Sequence, residues 1–205
     1  SGKNGNLYVF ANGQIQWHKT NREKIYYIEN GHTEKIKPDG EKIIQFNTGH
    51  TVVYYISGAI RGFVKKGTYF KNSKETKFFI FHYPDSMEFT ANAIINDNCD
   101  EIFNDIFKMY NWNDEKFKIA VPVNILLFPS ESSFLKYSGA KNNWAQAYCF
   151  AGIIAFRPFE NNIQTLERAT LTLKHELIHY FNFTLTKGAN GPGWIEEGLA
   201  QWGSE

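Results

Sequence analysis

The chain has 205 residues, of which 42% are hydrophobic and 21% charged, with a formal net charge of +1. That length can bury a proper core, as one large domain or two small ones, and the balance excludes an intrinsically disordered chain. Near-neutral charge without a basic stripe excludes a nucleic-acid partner held through its phosphates, and no apolar run reaches the roughly 18 to 20 residues that span a bilayer.

Aromatic residues make up 17%. They read as core and β-surface content, with an aromatic groove for peptides or sugars as the second reading. The chain begins at Ser1 without an initiator Met or a signal peptide, as expected of a processed or trimmed form. Cys99 and Cys149 lie in different predicted elements without CxxC spacing. Two cysteines define no disulfide framework, and buried free thiols are at least as good a reading.

Residues 1–72 predict a β-rich module. Short β-branched or aromatic runs at 7–10, 24–28, 41–46, 51–56 and 61–64 alternate with turn signals such as Asn12-Gly13, Asn30-Gly31, Pro38-Asp39-Gly40 and Lys66-Gly67. Five strands at this spacing imply a small meander or an SH3-like barrel. His18, His32 and His50 are scattered through it and read as surface or turn residues.

After the polar, linker-like stretch Lys71 to Lys77 the pattern becomes mixed α/β, which sets a second domain at 73–205. Residues 78–83 predict a strand, and Pro84-Asp85 a helix start with Glu88 in the capping-box position. Ile95, Cys99, Ile102, Ile106 and Tyr110 recur at steps of three and four, giving one apolar stripe. Ile119, Val121, Val123, Ile125 and Leu127 alternate along a strand at 118–128. Ser130 caps a short helix through Leu135, and 146–156 predicts another strand. The fold class is α+β: a β-rich N-terminal module, then a domain whose last long helix packs on a mixed sheet.

That helix is predicted over 163–183, with Leu166, Thr170, Leu173, Leu177 and Phe181 as its sheet-facing stripe. Within it, His175-Glu176-Leu177-Ile178-His179 (HELIH) puts two imidazoles one turn apart on one face. Two such nitrogens suit one zinc ion, at about 2.0 to 2.1 Å each. Glu176 is rotated by roughly 100° from His175, so it misses the first shell and can act as a general base on water. A tetrahedral catalytic site takes a third protein ligand and one open position. After a glycine-rich turn, Trp194 to Trp202 has helical spacing, with Ile195, Leu199 and Trp202 as its apolar stripe and Glu197 about opposite. A carboxylate at Glu197 completes a His-His-Glu set. Without HELIH, the pair Glu196-Glu197 is an ordinary solvated face.

HELIH followed 18 residues later by the second glutamate of Trp194-Ile-Glu-Glu-Gly-Leu-Ala200 resembles the gluzincin zinc metallopeptidases, in particular their peptidase-MA-like domains. The pattern there is HExxH and then W-x-x-E-G-x-A, and the likeness extends loosely over residues 77–205. It implies a zincin-type α/β domain with one zinc per chain, His175, His179 and Glu197 as metal ligands, and Glu176 as catalytic base. It implies a peptide or protein substrate, paired along an edge strand for which Ala147 to Ile153 is the candidate, and a secreted or cell-envelope location. Three departures accompany it. Gln201 stands where thermolysin-like members carry an aspartate. The chain stops at Glu205, short of the subdomain that supplies an oxyanion-stabilising Tyr or His, so the domain reads as truncated or minimal and Tyr148 is an upstream stand-in. Residues 1–72 match no family pattern. Two rival readings stand beside the hydrolase: a catalytically inactive module that binds zinc, a peptide or cell wall, and an α/β domain whose HELIH is a plain core helix.

Overall fold

The computed structural model describes residues 4–10, 14–27, 32–46, 51–54, 60–64, 70–110, 122–138, 145–150, 153–158, 163–186 and 192–204. The chain divides into two compact units, Ser1–Thr68 and Tyr69–Glu205; the sequence reading set the change at residue 72.

The first unit is an antiparallel sheet of seven strands in chain order: β1 (Gly5–Val9), β2 (Ile15–Lys19), β3 (Lys24–Tyr27), β4 (Thr33–Ile36), β5 (Lys42–Gln45), β6 (Thr51–Tyr54) and β7 (Ile60–Val64). It is therefore a meander, with two strands more than the sequence reading found. The extra strands are β2 and β4. Their sequences, Ile15-Gln-Trp-His-Lys19 and Thr33-Glu-Lys-Ile36, are too polar to register as apolar runs.

A repeat that the sequence reading missed underlies this sheet. β2, β4 and β6 begin at residues 15, 33 and 51, and β3, β5 and β7 at 24, 42 and 60, an interval of 18 residues throughout. The β2–β3 and β4–β5 turns repeat the same hydrogen bonds. Lys19 N–H donates to the Glu23 carbonyl at 2.8 Å and Lys37 N–H to that of Glu41 at 2.9 Å. Asn21 and Asp39 each accept a backbone N–H two residues on, at 3.1 and 3.0 Å, which is the Asx-turn device. Arg22 and Gly40 both adopt left-handed backbone, with φ of 67° and 86°. Glu23 and Glu41 are buried and ion-paired to Lys19 and Lys37.

The second unit holds a five-stranded sheet ordered β11-β12-β10-β9-β8. Its strands are β8 (Asn72–Glu75), β9 (Phe79–Tyr83), β10 (Val123–Leu127), β11 (Ala147–Phe150) and β12 (Ile153–Phe156). β9, β10 and β12 run parallel, with β8 and β11 antiparallel on the two edges. The stretch read as a linker is thus edge strand β8. Its polar residues suit an edge, where Lys and Glu discourage pairing with other chains, and Lys74 bonds Glu88 and Asn92 of the following helix. Residues 146–156 form two paired strands rather than one. β10 is buried along its whole length, not on alternate positions, because parallel central strands are covered on both faces.

The helices of this unit are α1 (Glu88–Asn96), α2 (Cys99–Met109), α3 (Glu131–Ser138), α4 (Ile163–Leu185) and α5 (Gly193–Ser204). The stripe from Ile95 to Tyr110 spans two helices, because Asn98 turns left-handed (φ 58°) between α1 and α2. The expected capping box at Asp85 is absent. A 3₁₀ turn occupies Asp85–Met87, and the Asp85 carboxylate accepts from Asn72 at 2.7 Å instead. Ser130 does cap α3, accepting the Ser133 N–H at 3.2 Å. One core joins Phe79, Phe81, Val123, Ile125 and Ile154 of the sheet to Ile102 and Phe103 of α2 and to Leu173, Leu177 and Phe181 of α4. Among the described residues no helix is long and apolar enough to cross a membrane.

Candidate metal centre

Position along α4 is set by contacts on both sides of HELIH. Leu173, Leu177 and Phe181 are fully buried against the sheet and α2. Thr170 donates its hydroxyl to Asp97 in the turn before α2, and Tyr110 at the end of α2 donates to Asn182 at 2.7 Å. With the stripe facing the core, the helical period turns His175 and His179 together to one side. Their Nε2 atoms lie 3.1 Å apart.

The third residue comes from α5, which starts where the Pro192 carbonyl accepts the backbone N–H of Ile195 at 2.9 Å and of Glu196 at 3.3 Å. The sequence reading put Ile195, Leu199 and Trp202 on the packed side of this helix. They are instead 39%, 44% and 69% exposed, while Ala200 and Ser204 are buried. α5 packs on α4 through small residues, because close helix–helix approach favours side chains with little bulk. Glu197 shares that side with Ala200 and Ser204. Its Oε2 lies 3.4 Å from His175 Nε2 and its Oε1 3.6 Å from His179 Nε2.

These separations test whether the residues fit a metal. Ligand atoms at 2.0–2.1 Å from one ion, spread at the tetrahedral angle, stand roughly 3.3–3.4 Å apart. The two imidazole nitrogens, 3.1 Å apart, stand near that value, and each faces a different oxygen of Glu197, Oε2 at 3.4 Å from His175 and Oε1 at 3.6 Å from His179. Each His–His and His–Glu contact can hold one proton at most, whereas a divalent cation would satisfy all of the converging lone pairs at once. Burial holds His179 below the ordinary imidazole pKa, against the pull of Glu197. That direction favours the neutral imidazole, the form a metal ligand requires. The donor set of two nitrogens and one carboxylate is shared by catalytic zinc sites and non-haem iron(II) sites. The Glu197 side chain is 65% exposed, so the cluster opens to solvent on that side.

Glu176 lies apart from the cluster and is buried. Burial is the largest influence on its carboxyl, raising the pKa to about 8; the Glu197 charge adds to the rise, and a hydrogen bond from the Cys149 backbone N–H opposes it. That hydrogen bond sets Glu176 against edge strand β11. A divalent cation at the neighbouring cluster would favour the ionised form. Tyr148 stands next to Cys149 on β11; burial raises the pKa of its hydroxyl, and the charges of Cys149 and Glu176 add to the rise. Gln201 is exposed on α5.

Comparison with protein-family models, with curated proteins and with solved structures gives no match to this chain. The site therefore stands on its own geometry. The structure brings His175, His179 and Glu197 together, with ligand atoms all within 4.8 Å of one another, and Glu176 adjoins them in sequence. What sequence reasoning missed here is the Cys149 N–H, a backbone partner that leaves no trace in residue type.

Proposed function

We propose that this protein is a zinc-dependent peptide hydrolase, with one zinc per chain held by His175, His179 and Glu197 and with Glu176 as general base. The observation that carries the reading is the convergence of the two imidazole Nε2 atoms, 3.1 Å apart, on the Glu197 carboxylate, whose Oε2 lies 3.4 Å from His175 and whose Oε1 lies 3.6 Å from His179. Zinc bound there would supply Lewis acidity for the scissile carbonyl and for a water. Glu176 would take a proton from that water and hand it to the leaving amine. Its buried setting beside β11 suits that work, since a dry carboxylate is a stronger base than a solvated one. β11 is an edge strand, and an extended peptide added to an edge gains backbone hydrogen bonds. A zincin-type fold and a secreted or cell-envelope location accompany this proposal.

Zinc per chain by elemental analysis is the first test, on protein purified without added metal beside Glu197→Ala. About one zinc in the parent and much less in the variant is expected; none in either, even after zinc is supplied and the excess dialysed away, returns HELIH to a plain core helix. Glu176→Gln should then keep its zinc and lose about 10²- to 10⁴-fold in turnover of a peptide library. Equal turnover by the two would reject Glu176 as the base.

A further inference from the structure

α5 contains Gly193, Gly198 and Gly203. Glycine inside a helix is unfavourable by about 1 kcal/mol relative to alanine, so each calls for a reason. A Cβ built on Gly193 or Gly198 meets nothing within 4 Å. At Gly203 it would lie 2.5 Å from Ile178 Cδ1 and 3.2 Å from Met109 Cε. Ile178 is fully buried and sits in α4 directly before His179. Gly203 therefore marks the place where α5 meets α4 and the end of α2 without a side chain between them.

The consequence falls on Glu197. Its side chain is largely in water, and its ion-pair contacts are with the two histidines. Where its carboxylate stands is therefore set by the backbone of α5. A methyl group at position 203 must gain about 1 Å to reach ordinary van der Waals contact with Ile178 Cδ1, and because Ile178 is fully buried that room comes either from its side-chain end turning within the core or from α5 moving away. The tolerance of a metal-ligand geometry is about 0.5 Å.

We infer that Gly203 is a positioning residue for the metal centre: by letting α5 close on Ile178, it brings Glu197 within reach of His175 and His179. The inference rests on the zinc reading above, and the experiment separates the two. Zinc affinity of the full chain is measured by competition with a chromogenic chelator for the parent, Glu197→Ala, Gly198→Ala, Gly203→Ala and the pair Gly203→Ala/Ile178→Val, which deletes the clashing Cδ1. Gly203→Ala should bind zinc about 10- to 100-fold more weakly, the range seen when support around a ligand is lost. The pair should recover to within about 3-fold of the parent, a margin under 1 kcal/mol, and Gly198→Ala should match the parent. The melting midpoint of metal-free Gly203→Ala should not fall by more than a few degrees, since alanine is the better helix former; a merely structural role would lower it without selective loss of zinc.

Parent-like affinity in Gly203→Ala, or a folded pair that binds no better than Gly203→Ala, would overturn the inference while leaving the metal centre standing. If Gly203→Ala fails to fold, whether or not the pair folds, Gly203 serves the core at large and the inference falls. Parent and Glu197→Ala binding equally, or neither binding, would be a failure of the zinc reading itself.

Discussion

The two units of this chain reach order by different routes. In the N-terminal sheet each strand pairs with the strands next to it in sequence, and an 18-residue interval relates its strands. In the C-terminal unit the sheet order is shuffled, and the His175, His179 and Glu197 cluster draws on residues from two helices. Local pairing makes the first unit a sum of nearly equal repeats. In the second, a single core must be right before any one contact forms. Stability in the repeat sheet should therefore depend on turns and ion pairs, and stability in the second unit on bulk in the core.

The largest expected effect lies in the second unit. Phe181 is fully buried on α4 and packs against Phe103 at 5.3 Å. Phe181→Ala should lower unfolding free energy by about 3–5 kcal/mol, read from denaturant midpoints. A loss under about 1 kcal/mol would show that α4 is not held by this core.

Acid should act on the repeat sheet. Lys19, and then Lys35, hold the Glu23 carboxyl below its usual pKa, with both ammonium groups at 2.6 Å. A depressed carboxyl contributes stability above its unfolded pKa of about 4.5 and loses it as pH falls through the folded value. The stability difference between the parent and Glu23→Gln should thus be full at neutral pH and shrink from about pH 5 downward. A difference that does not change with pH would remove the ion pairs from the explanation.

The turns offer a smaller, paired test. Gly40 and Arg22 occupy equivalent left-handed positions. Gly40→Ala should cost about 1 kcal/mol. Arg22→Gly should gain less than that, because glycine also loosens the unfolded chain. Opposite signs support equivalence of the two turns, and equal signs deny it.

Leu199→Ser should have the smallest effect, within about 0.5 kcal/mol, because Leu199 is 44% exposed on α5. Had the apolar stripe on that helix been the packed side, the same change would cost several times more. The sequence reading went wrong there for a physical reason. Hydrophobic periodicity identifies the buried side of a helix when the partner surface takes large side chains, and α5 instead meets α4 through Ala200, Gly203 and Ser204. The Ile95 to Tyr110 stripe does face the core, but on two helices rather than one. Its spacing continues through Asn98, where the backbone turns left-handed, and periodicity alone does not register a break that keeps phase. The 18-residue repeat, by contrast, was legible in the spacing of Gly13, Gly31, Gly49 and Gly67 to any search for self-similarity.

By itself the sequence determined the α4 helix, the side of it on which His175 and His179 stand, and the offset of Glu176 from them. Those follow from a fixed 3.6-residue turn and need no partner. It also determined a β-rich first unit and a mixed second one, because strand and turn chemistry is local. Only the tertiary structure decided which side of α5 meets α4, that the Glu197 carboxylate comes within 3.4 Å of His175 and 3.6 Å of His179, and that a backbone N–H from β11 bonds Glu176. Those distances depend on how closely two helices and a strand approach one another. That approach is set by the volumes of buried side chains from distant parts of the chain, such as Ile178 against Gly203, and no local pattern encodes it.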